Sequence, residues 1–199
     1  MLEISESELI DRAKADPRAF GELYHRHVDA IYSYAYHRVG NPVDAEDLTA
    51  RTFQRALASM PAYVDRGAPF AAWLYRIAHN LIANWHRDQG RRQAVSLDGL
   101  GAGIDDLTTD SDDGLAIQAW THARVADAVR QLDPERQDLL ILKFTHGLSN
   151  TEIAATLGRT ESAVKSLYHR TLLALREQLD REEGAQHSGT DRTGSLTTP

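Results

Sequence analysis

The sequence predicts an all-α protein in which a flexible acidic linker joins two small helical domains. Apolar residues recur at helical spacing, and no segment shows sustained alternation of apolar and polar residues, so we expect no sheet. Residues 93–118 lose this periodicity and carry six Asp without any Lys or Arg. We therefore predict folded domains at residues 1–92 and 119–180, a flexible self-repelling linker at 93–118 and a disordered tail at 181–199.

The first domain is predicted to contain four helices. Ser5 and Glu8 have the spacing of a capping box that opens a helix through Ala15, and Pro17 restarts the chain as a second helix. Gly40-Asn41-Pro42 breaks this helix before a third one at residues 43–60, and Pro69 opens the fourth after a loop. The apolar stripes predicted for the second and third helices comprise Phe20, Leu23, Tyr24, Ile31, Tyr34, Ala35, Leu48, Thr52, Phe53, Ala56 and Leu57.

The fourth predicted helix interleaves aromatic and basic residues between positions 70 and 92. Trp73, Ile77, Leu81 and Trp85 lie four residues apart on one face, where Ile77 and Leu81 are best explained as core. Arg76, His79 and Asn80 fall on a different face. Stacking rings beside a cationic track suit single-stranded bases, and an Asn amide suits the edge of an unpaired base.

The second domain is predicted to contain a helix-turn-helix. Helices resume near Ala119, and Asp133-Pro134 caps the next one. Ser149 and Glu152 form a capping box, Gly158 occupies the turn, and Thr160 can cap the second helix. The apolar stripe of that helix is Val164, Leu167, Tyr168, Thr171, Leu172 and Leu175. The side chains off this stripe suit a DNA major groove, although an ordinary helical hairpin with a solvated face is the alternative; they are Ser162, Lys165, Ser166, His169 and Arg170.

Composition limits the possible functions. The formal net charge is -7, but the excess acid lies in the linker and tail, so neither folded domain is strongly basic and tight DNA binding would need a larger partner. No apolar run approaches a membrane span, and the acidic N-terminus does not resemble a signal peptide. The absence of cysteine excludes disulfides and fits a reducing cytoplasm. His25, His27 and His37 do not complete a metal pattern, and no catalytic motif is present, so we expect no enzyme, cofactor or metal.

Three ordered stretches carry a resemblance to a known family. They are DAEDLTARTFQRAL (44–57), PFAAWLYRIAHNLIANWHR (69–87) and LDPERQDLLILKFTHGLSNTEIAATLGRTESAVKSLYHR (132–170). Together they resemble the extracytoplasmic function (ECF) sigma factors, minimal members of the sigma-70 family of RNA polymerase sigma factors. The resemblance covers roughly residues 5–180 and implies two helical domains, region 2 and region 4, in this order.

The resemblance implies roles for particular residues of region 2. The helix that binds the β′ clamp helices of core RNA polymerase would use Asp44, Asp47, Arg51 and Gln54, although the two acids also suit a helix N-terminus. The aromatic helix and the loop at 61–68 would capture the melted minus-10 strand. Asn80 matches a pocket for a flipped base, with Trp73 and Arg76 nearby.

The resemblance also implies roles for region 4 and the linker. Region 4 would contact the β flap and read the minus-35 duplex with Ser162, Lys165, Ser166, His169 and Arg170. Leu167 and Thr171 depart from the family pattern, and we expect Leu167 to be buried. The acidic linker would either mimic nascent RNA in a basic channel or act as a solubilising spacer.

Two readings of function follow. The first is an alternative sigma factor that directs promoter-specific initiation in the cytoplasm and that an anti-sigma factor holds inactive, without membrane insertion. The second is an autonomous helix-turn-helix regulator with a helical sensor domain. Such a regulator would need a ligand pocket and a more basic DNA-binding domain. Co-migration with core polymerase distinguishes them.

Overall fold

The computed structural model describes residues 4–65, 67–95, 125 and 128–190, and within these residues the regular structure is helical throughout. Three short turns complete the framework: 3₁₀ turns at Pro17–Ala19 and Met60–Ala62, and a π-helical turn at Ile141–Thr145. The all-α prediction is confirmed for this part of the chain. The helices are α1 (Glu6–Ala15), α2 (Phe20–Val39), α3 (Pro42–Ser59), α4 (Phe70–Val95), α5 (Pro134–Leu140), α6 (Asn150–Leu157) and α7 (Glu161–Thr190).

The contacts of the chain divide it into two units. The first unit combines residues 1–105 with residues 141–164, and the second combines residues 106–140 with residues 165–199. Residues 141–164, which the sequence assigned to the second domain, thus pack with the N-terminal helices. Most of the predicted linker lies outside the described residues, and α4 extends three residues into its predicted range.

The helix starts follow the predicted caps. The Ser5 hydroxyl accepts a hydrogen bond from the Glu8 N–H at 3.2 Å, and the Thr160 hydroxyl accepts one from the Ala163 N–H at 3.2 Å. Ser149 and Glu152 form the complete capping box, with both reciprocal hydrogen bonds present. Asn41 caps α3 through its side-chain oxygen, and α3 therefore begins at Pro42, one residue before the predicted start. Local side-chain chemistry thus sets these boundaries.

Replacing Ser149 with alanine is expected to lower the free energy of unfolding by about 1 kcal/mol, because the N–H of Glu152 loses its acceptor. Urea denaturation of the full chain measures this change. Ser149→Asp is the matched control, since a carboxylate accepts the same hydrogen bond and should retain most of the stability. An alanine variant with the stability of the original chain would contradict the role of the cap.

The core of the first unit is formed by α1 to α4 together with α6. Tyr34 and Leu74 are completely buried, as is Ile153 of α6. The prediction that Tyr24 and Leu57 are buried is wrong, because each keeps 38% of its surface exposed. Tyr24 lies at the rim of the core, where its ring makes an edge contact with Phe53 at a centroid distance of 4.8 Å. Helical spacing therefore predicts which face of a helix is buried, but not which residues at the border of that face stay exposed.

The second unit packs around a smaller apolar cluster. Leu139 is completely buried, Leu140 and Leu132 are nearly so, and Leu167 is 9% exposed, as expected for a residue on the apolar stripe. Leu172, which the stripe also predicted to be buried, is 38% exposed, at the edge of the stripe. Gln178 donates a hydrogen bond to the side-chain oxygen of Gln131 at 2.6 Å, which ties α7 to the turn before α5.

Helix α7 continues past residue 180, where the disordered tail was predicted to begin. Arg176 pairs with Asp180 at 3.8 Å, and Arg181 pairs with Glu177 at 3.5 Å, both four residues apart along the helix. Such pairs support an exposed helix modestly. The first ten residues of the predicted tail are thus helical, and residues 191–199 lie outside the described part of the chain.

The helix predicted from Pro134 onward does not run uninterrupted to Phe144. It ends as an α-helix at Leu140 and widens into the π-helical turn, in which the N–H of His146 bonds the carbonyl of Ile141 at 3.2 Å. Gly147 follows with a φ of 66°, a left-handed conformation that glycine adopts without strain. The turn brings His146 to the packed side of the first unit.

Candidate functional site

Three of the four residues expected to contact the polymerase line a groove between α3 and α4. Asp44, Asp47 and Arg51 line a pocket of about 240 Å³, whereas Gln54 is exposed one turn further along α3 and does not line it. The opposite wall comes from α4. Its lining residues are Leu81, Asn84, Trp85, Asp88 and Gln89.

The groove carries two ion-pairing or hydrogen-bonding contacts that involve its acidic residues. The Arg51 guanidinium donates to the Asp47 carboxylate at 3.3 Å, and both side chains remain more than half exposed. The indole N–H of Trp85 donates to Asp44 at 3.4 Å and so joins the two walls. With Asp88 the lining includes three carboxylates and one guanidinium, so acidic residues outnumber basic ones along the groove.

Sequence reasoning missed the contribution of Trp85 and Asp88 to this groove. Trp85 had been assigned to the aromatic face of α4, and its position four residues after Leu81 placed it on the half-buried side. The tertiary contact with Asp44, 41 residues earlier, has no local signal. The sequence offered only the helical spacing of Asp88, which lies three residues after Trp85 and four after Asn84.

The N-terminal half of α4 presents the residues predicted to capture a single strand. Trp73 is half-buried, with its ring at centroid distances of 4.8 Å from Tyr63 and 5.3 Å from Phe70. Arg76 and Asn80 are exposed, three and seven residues after Trp73 and therefore on the same side of the helix, so the prediction that they lie on a different face from Trp73 is wrong. The three predicted residues thus share one surface that combines a ring, a cation and an amide.

Tyr63 extends this aromatic cluster and was not singled out from the sequence. The loop residue packs edge-on against Phe70 and Trp73, and the ammonium of Lys14 lies 5.5 Å from the centre of its ring. Burial first, and then the charges of Asp65 and Glu6, raise the pKa of the Tyr63 hydroxyl. The ring is therefore a neutral support that fixes the orientation of Trp73.

The exposed face of α7 carries all five residues predicted to contact duplex DNA. Their side chains are exposed, and their spacing of three or four residues places them on one side of the helix. The guanidinium of Arg170 donates to the carbonyl of Ser166 at 3.3 Å. Two cations and one histidine on a single helical face are suited to phosphates and base edges. The five residues of this face are Ser162, Lys165, Ser166, His169 and Arg170.

The two departures from the family pattern on α7 have a packing explanation. Leu167 is buried, and Thr171 is completely buried with its hydroxyl donating to the Leu167 carbonyl at 2.8 Å. Thr171 therefore occupies a core position without leaving an unsatisfied polar group. Neither side chain faces the exposed surface of α7.

Two other kinds of feature are absent from the described residues. These residues contain no group of three or more His, Asp or Glu side chains that would hold a metal ion. Within the same residues, no helix combines the length and the apolar character that crossing a lipid bilayer requires.

Comparison with known proteins identifies the class to which this architecture belongs. Residues 23–92 match the family model of sigma-70 region 2, and residues 122–175 match that of sigma-70 region 4. The chain is 37% identical over 169 residues to the ECF RNA polymerase sigma factor BldN of Streptomyces coelicolor, covering 84% of this chain but only 63% of that protein. The matched part of the chain thus spans less than two thirds of that relative's length.

Two further comparisons establish the family. The chain is 30% identical to the ECF RNA polymerase sigma factor SigD of Mycobacterium tuberculosis, and the match covers 82% of this chain and 78% of that protein. The solved structure of CnrH in complex with the cytosolic domain of CnrY superposes with a TM-score of 0.62 at 26% identity, covering 87% of this chain and 96% of that one. The chain belongs to the ECF sigma factors of the sigma-70 family, which are transcription initiation factors and not enzymes.

Proposed function

We propose that this chain is an alternative sigma factor that binds core RNA polymerase and directs initiation at a specific set of promoters. The observation that carries the proposal is the acidic groove beside the aromatic surface of α4, in the region 2 part of a chain that also has a region 4 helix-turn-helix. Neither surface alone requires a polymerase. Their combination in one chain of low basic charge supports such a partner, because another molecule would then supply most of the affinity for DNA.

The acidic groove is the proposed docking site for the β′ clamp helices. Asp44, Asp47 and Arg51 form one wall, and a cationic side chain of the polymerase would enter between them and Asp88. Gln54, one turn further along α3, extends the contact beyond the groove. The β flap is the proposed second contact of the polymerase and belongs to region 4.

The aromatic surface is the proposed site for the melted minus-10 strand. Trp73 is held by Tyr63 and Phe70, so it meets an unpaired base as a rigid stacking partner. The Asn80 amide is free to bond the edge of a flipped base, and Arg76 neutralises a neighbouring phosphate. Stacking contributes about 1–3 kcal/mol per base, and capture in the pocket offsets the few kcal/mol of unstacking.

The exposed face of α7 is the proposed reader of the minus-35 duplex. Replacing Lys165 with alanine is expected to weaken the binding of holoenzyme to all promoter duplexes by a similar factor. It should also lower the slope of log affinity against log salt by about one, because one phosphate contact is lost. Filter binding at several salt concentrations measures this slope.

Arg176→Ala is the matched control for this prediction. It removes a cation from the same helix, but Arg176 lies two turns beyond the proposed surface, paired with Asp180. The control variant should keep the original salt slope. Equal slopes in the Lys165 and Arg176 variants would contradict the assignment of Lys165 to a phosphate.

An anti-sigma factor is the proposed regulatory partner. The related structure of CnrH contains the cytosolic domain of CnrY, and the exposed groove of α3 and α4 offers a surface that such a partner would compete for with polymerase. We also propose that the protein acts in the cytoplasm, where core polymerase is found.

Run-off transcription of fragmented genomic DNA with core polymerase tests the proposal directly. The protein should direct transcripts from a limited set of start sites, and the shared sequences upstream should define both promoter elements. An autonomous regulator would instead bind duplex DNA without core polymerase and would not co-migrate with it on a sizing column. That result would replace the sigma-factor proposal.

A further inference from the structure

We propose that α1 fixes the ring of Trp73 in place through two separate contacts, one at each end of the helix. Glu6 makes the first contact by way of His27, and Lys14 makes the second. The three residues are therefore positioning residues for the proposed capture of the melted minus-10 strand, on which this step rests. None of them belongs to the surface of α4 that would meet the strand, so they act through the ring of Trp73.

The contact at the C-terminal end of α1 is a cation above a ring. Lys14 lies in the last turn of α1, and its ammonium is 5.5 Å from the centre of the Tyr63 ring. A cation at this distance is attracted to the face of an aromatic ring. The Tyr63 ring is nearly buried and meets Trp73 edge-on at a centroid distance of 4.8 Å. Since Tyr63 follows a 3₁₀ turn and lies in a loop, α1 helps to set the surface on which Trp73 packs.

The contact at the N-terminal end of α1 passes through α2. The imidazole of His27 donates a hydrogen bond at 2.9 Å to the carboxylate of Glu6, in the first turn of α1. The other side of the His27 ring lies against Phe70, at a centroid distance of 5.6 Å. Phe70 is almost completely buried and lies 5.3 Å from the ring of Trp73. Glu6 therefore holds His27 against the ring that packs on Trp73.

Both contacts lead to one aromatic cluster. Tyr63 and Phe70 also meet each other, at a centroid distance of 5.5 Å, so these two rings and that of Trp73 are in pairwise contact. Burial first, and then the charges of Asp65 and Glu6, raise the pKa of the Tyr63 hydroxyl, which also places Glu6 near this cluster. A ring that is already immobilised loses less conformational entropy when a base stacks on it. Helix α1 thereby increases the affinity for a single strand that it does not contact.

Replacing Lys14 with methionine tests the C-terminal contact, because methionine keeps an unbranched chain without the charge. Holoenzyme with Lys14→Met should bind a single-stranded oligonucleotide with the minus-10 sequence about threefold more weakly, as measured by fluorescence anisotropy. Lys14→Arg should restore the affinity, since a guanidinium is also attracted to a tyrosine face. The matched control is Arg12→Met, which removes a cation of the same turn that pairs with Glu8 at 2.7 Å. Equal losses in the two methionine variants would overturn the role of Lys14.

Replacing Glu6 with alanine tests the N-terminal contact in the same assay. The affinity for the oligonucleotide should again fall about threefold, because His27 loses the acceptor that holds it against Phe70. Glu8→Ala is the matched control: it removes an acid from the same first turn, and the ion pair of Glu8 stays within α1. Similar losses in Glu6→Ala and Glu8→Ala would overturn the role of Glu6 and His27.

A double-mutant cycle separates positioning from direct contact with the strand. In a Trp73→Ala background, Lys14→Met should have no further effect on the affinity, because Lys14 acts through that ring. Lys14→Met alone should also keep the slope of log affinity against log salt, which a lost phosphate contact would lower by about one. A full loss in the Trp73→Ala background, or a lower slope, would show direct contact and overturn the positioning role. An equal loss on a duplex with the minus-35 element alone would also overturn it, by showing a general defect.

Fluorine NMR of the free protein tests the ring contact without polymerase. The chain has three tryptophans, and Trp73→Phe and Trp85→Phe identify two of the signals after labelling with 5-fluorotryptophan. Lys14→Met and Glu6→Ala should shift or broaden the Trp73 signal and leave that of Trp85, on the same helix, unchanged. An unchanged Trp73 signal in both variants would overturn the inference. Failure of the original holoenzyme to bind the oligonucleotide would instead contradict the minus-10 proposal, and the NMR signals would still decide whether α1 holds the ring.

Discussion

Replacing Asp47 with lysine is expected to weaken the binding of core RNA polymerase by about thirtyfold, which corresponds to about 2 kcal/mol. Asp47 lines the groove and pairs with Arg51 at 3.3 Å. The substitution both removes a carboxylate that would meet the cationic clamp helix and places a like charge beside Arg51. The dissociation constant of fluorescently labelled protein and core polymerase measures the effect.

Glu46→Lys is the matched control for this experiment. Glu46 is an exposed acid on the same helix that does not line the groove, so the charge change is identical while the proposed contact is left intact. It should change the dissociation constant by less than about threefold, an effect of less than about 1 kcal/mol that is typical of exposed charges. Equal losses in both variants would point to overall charge and would contradict a specific groove.

Replacing Asn80 with alanine is expected to reduce the discrimination of holoenzyme for one base of the melted minus-10 strand. The amide is exposed on the same side of α4 as Trp73, and two hydrogen bonds from it to a base edge provide about 1–3 kcal/mol of selectivity. The variant should therefore lose about five- to 150-fold of preference at a single position. Binding of holoenzyme to single-stranded oligonucleotides that differ at each position measures this preference.

The oligonucleotide series provides its own control. Loss of preference should be confined to one base, and affinity for the neighbouring positions should change little because Trp73 and Arg76 remain. Because Asn80 is exposed, the substitution should leave the fold intact, and an unchanged helical circular dichroism spectrum checks this. A uniform loss at every position would assign Asn80 to the backbone of the strand and contradict its place in a base pocket.

The helix starts could be predicted from the sequence because each depends on a few neighbouring residues. Ser149 and Glu152 contact each other within the first turn of α6. Gly158 ends the same helix with a left-handed φ of 67°, a conformation that glycine adopts without strain. The burial of Leu167 was also predictable, because the apolar stripe of α7 outweighs the family pattern at that position. These features follow from chemistry within about four residues.

Contacts between distant segments could not be predicted in the same way. Trp85 meets Asp44 across 41 residues, and Thr156 meets Ala72 across 84 residues. Neither pair has a distinctive spacing, because each depends on how whole helices pack. The same limitation explains Tyr24 and Leu57, whose place at the rim of the stripe is decided by the neighbouring helix and not by their own periodicity.

The π-helical turn at Ile141–Thr145 also sets the direction in which the following side chains point. A π turn holds one residue more than an α turn, and removing that residue rotates the following side chain by about 100° around the helix axis. The orientation of His146 towards Tyr34 and Tyr75 is therefore set by the length of the backbone. Deleting one residue of this turn is therefore expected to move the ring of His146 out of contact with both tyrosines.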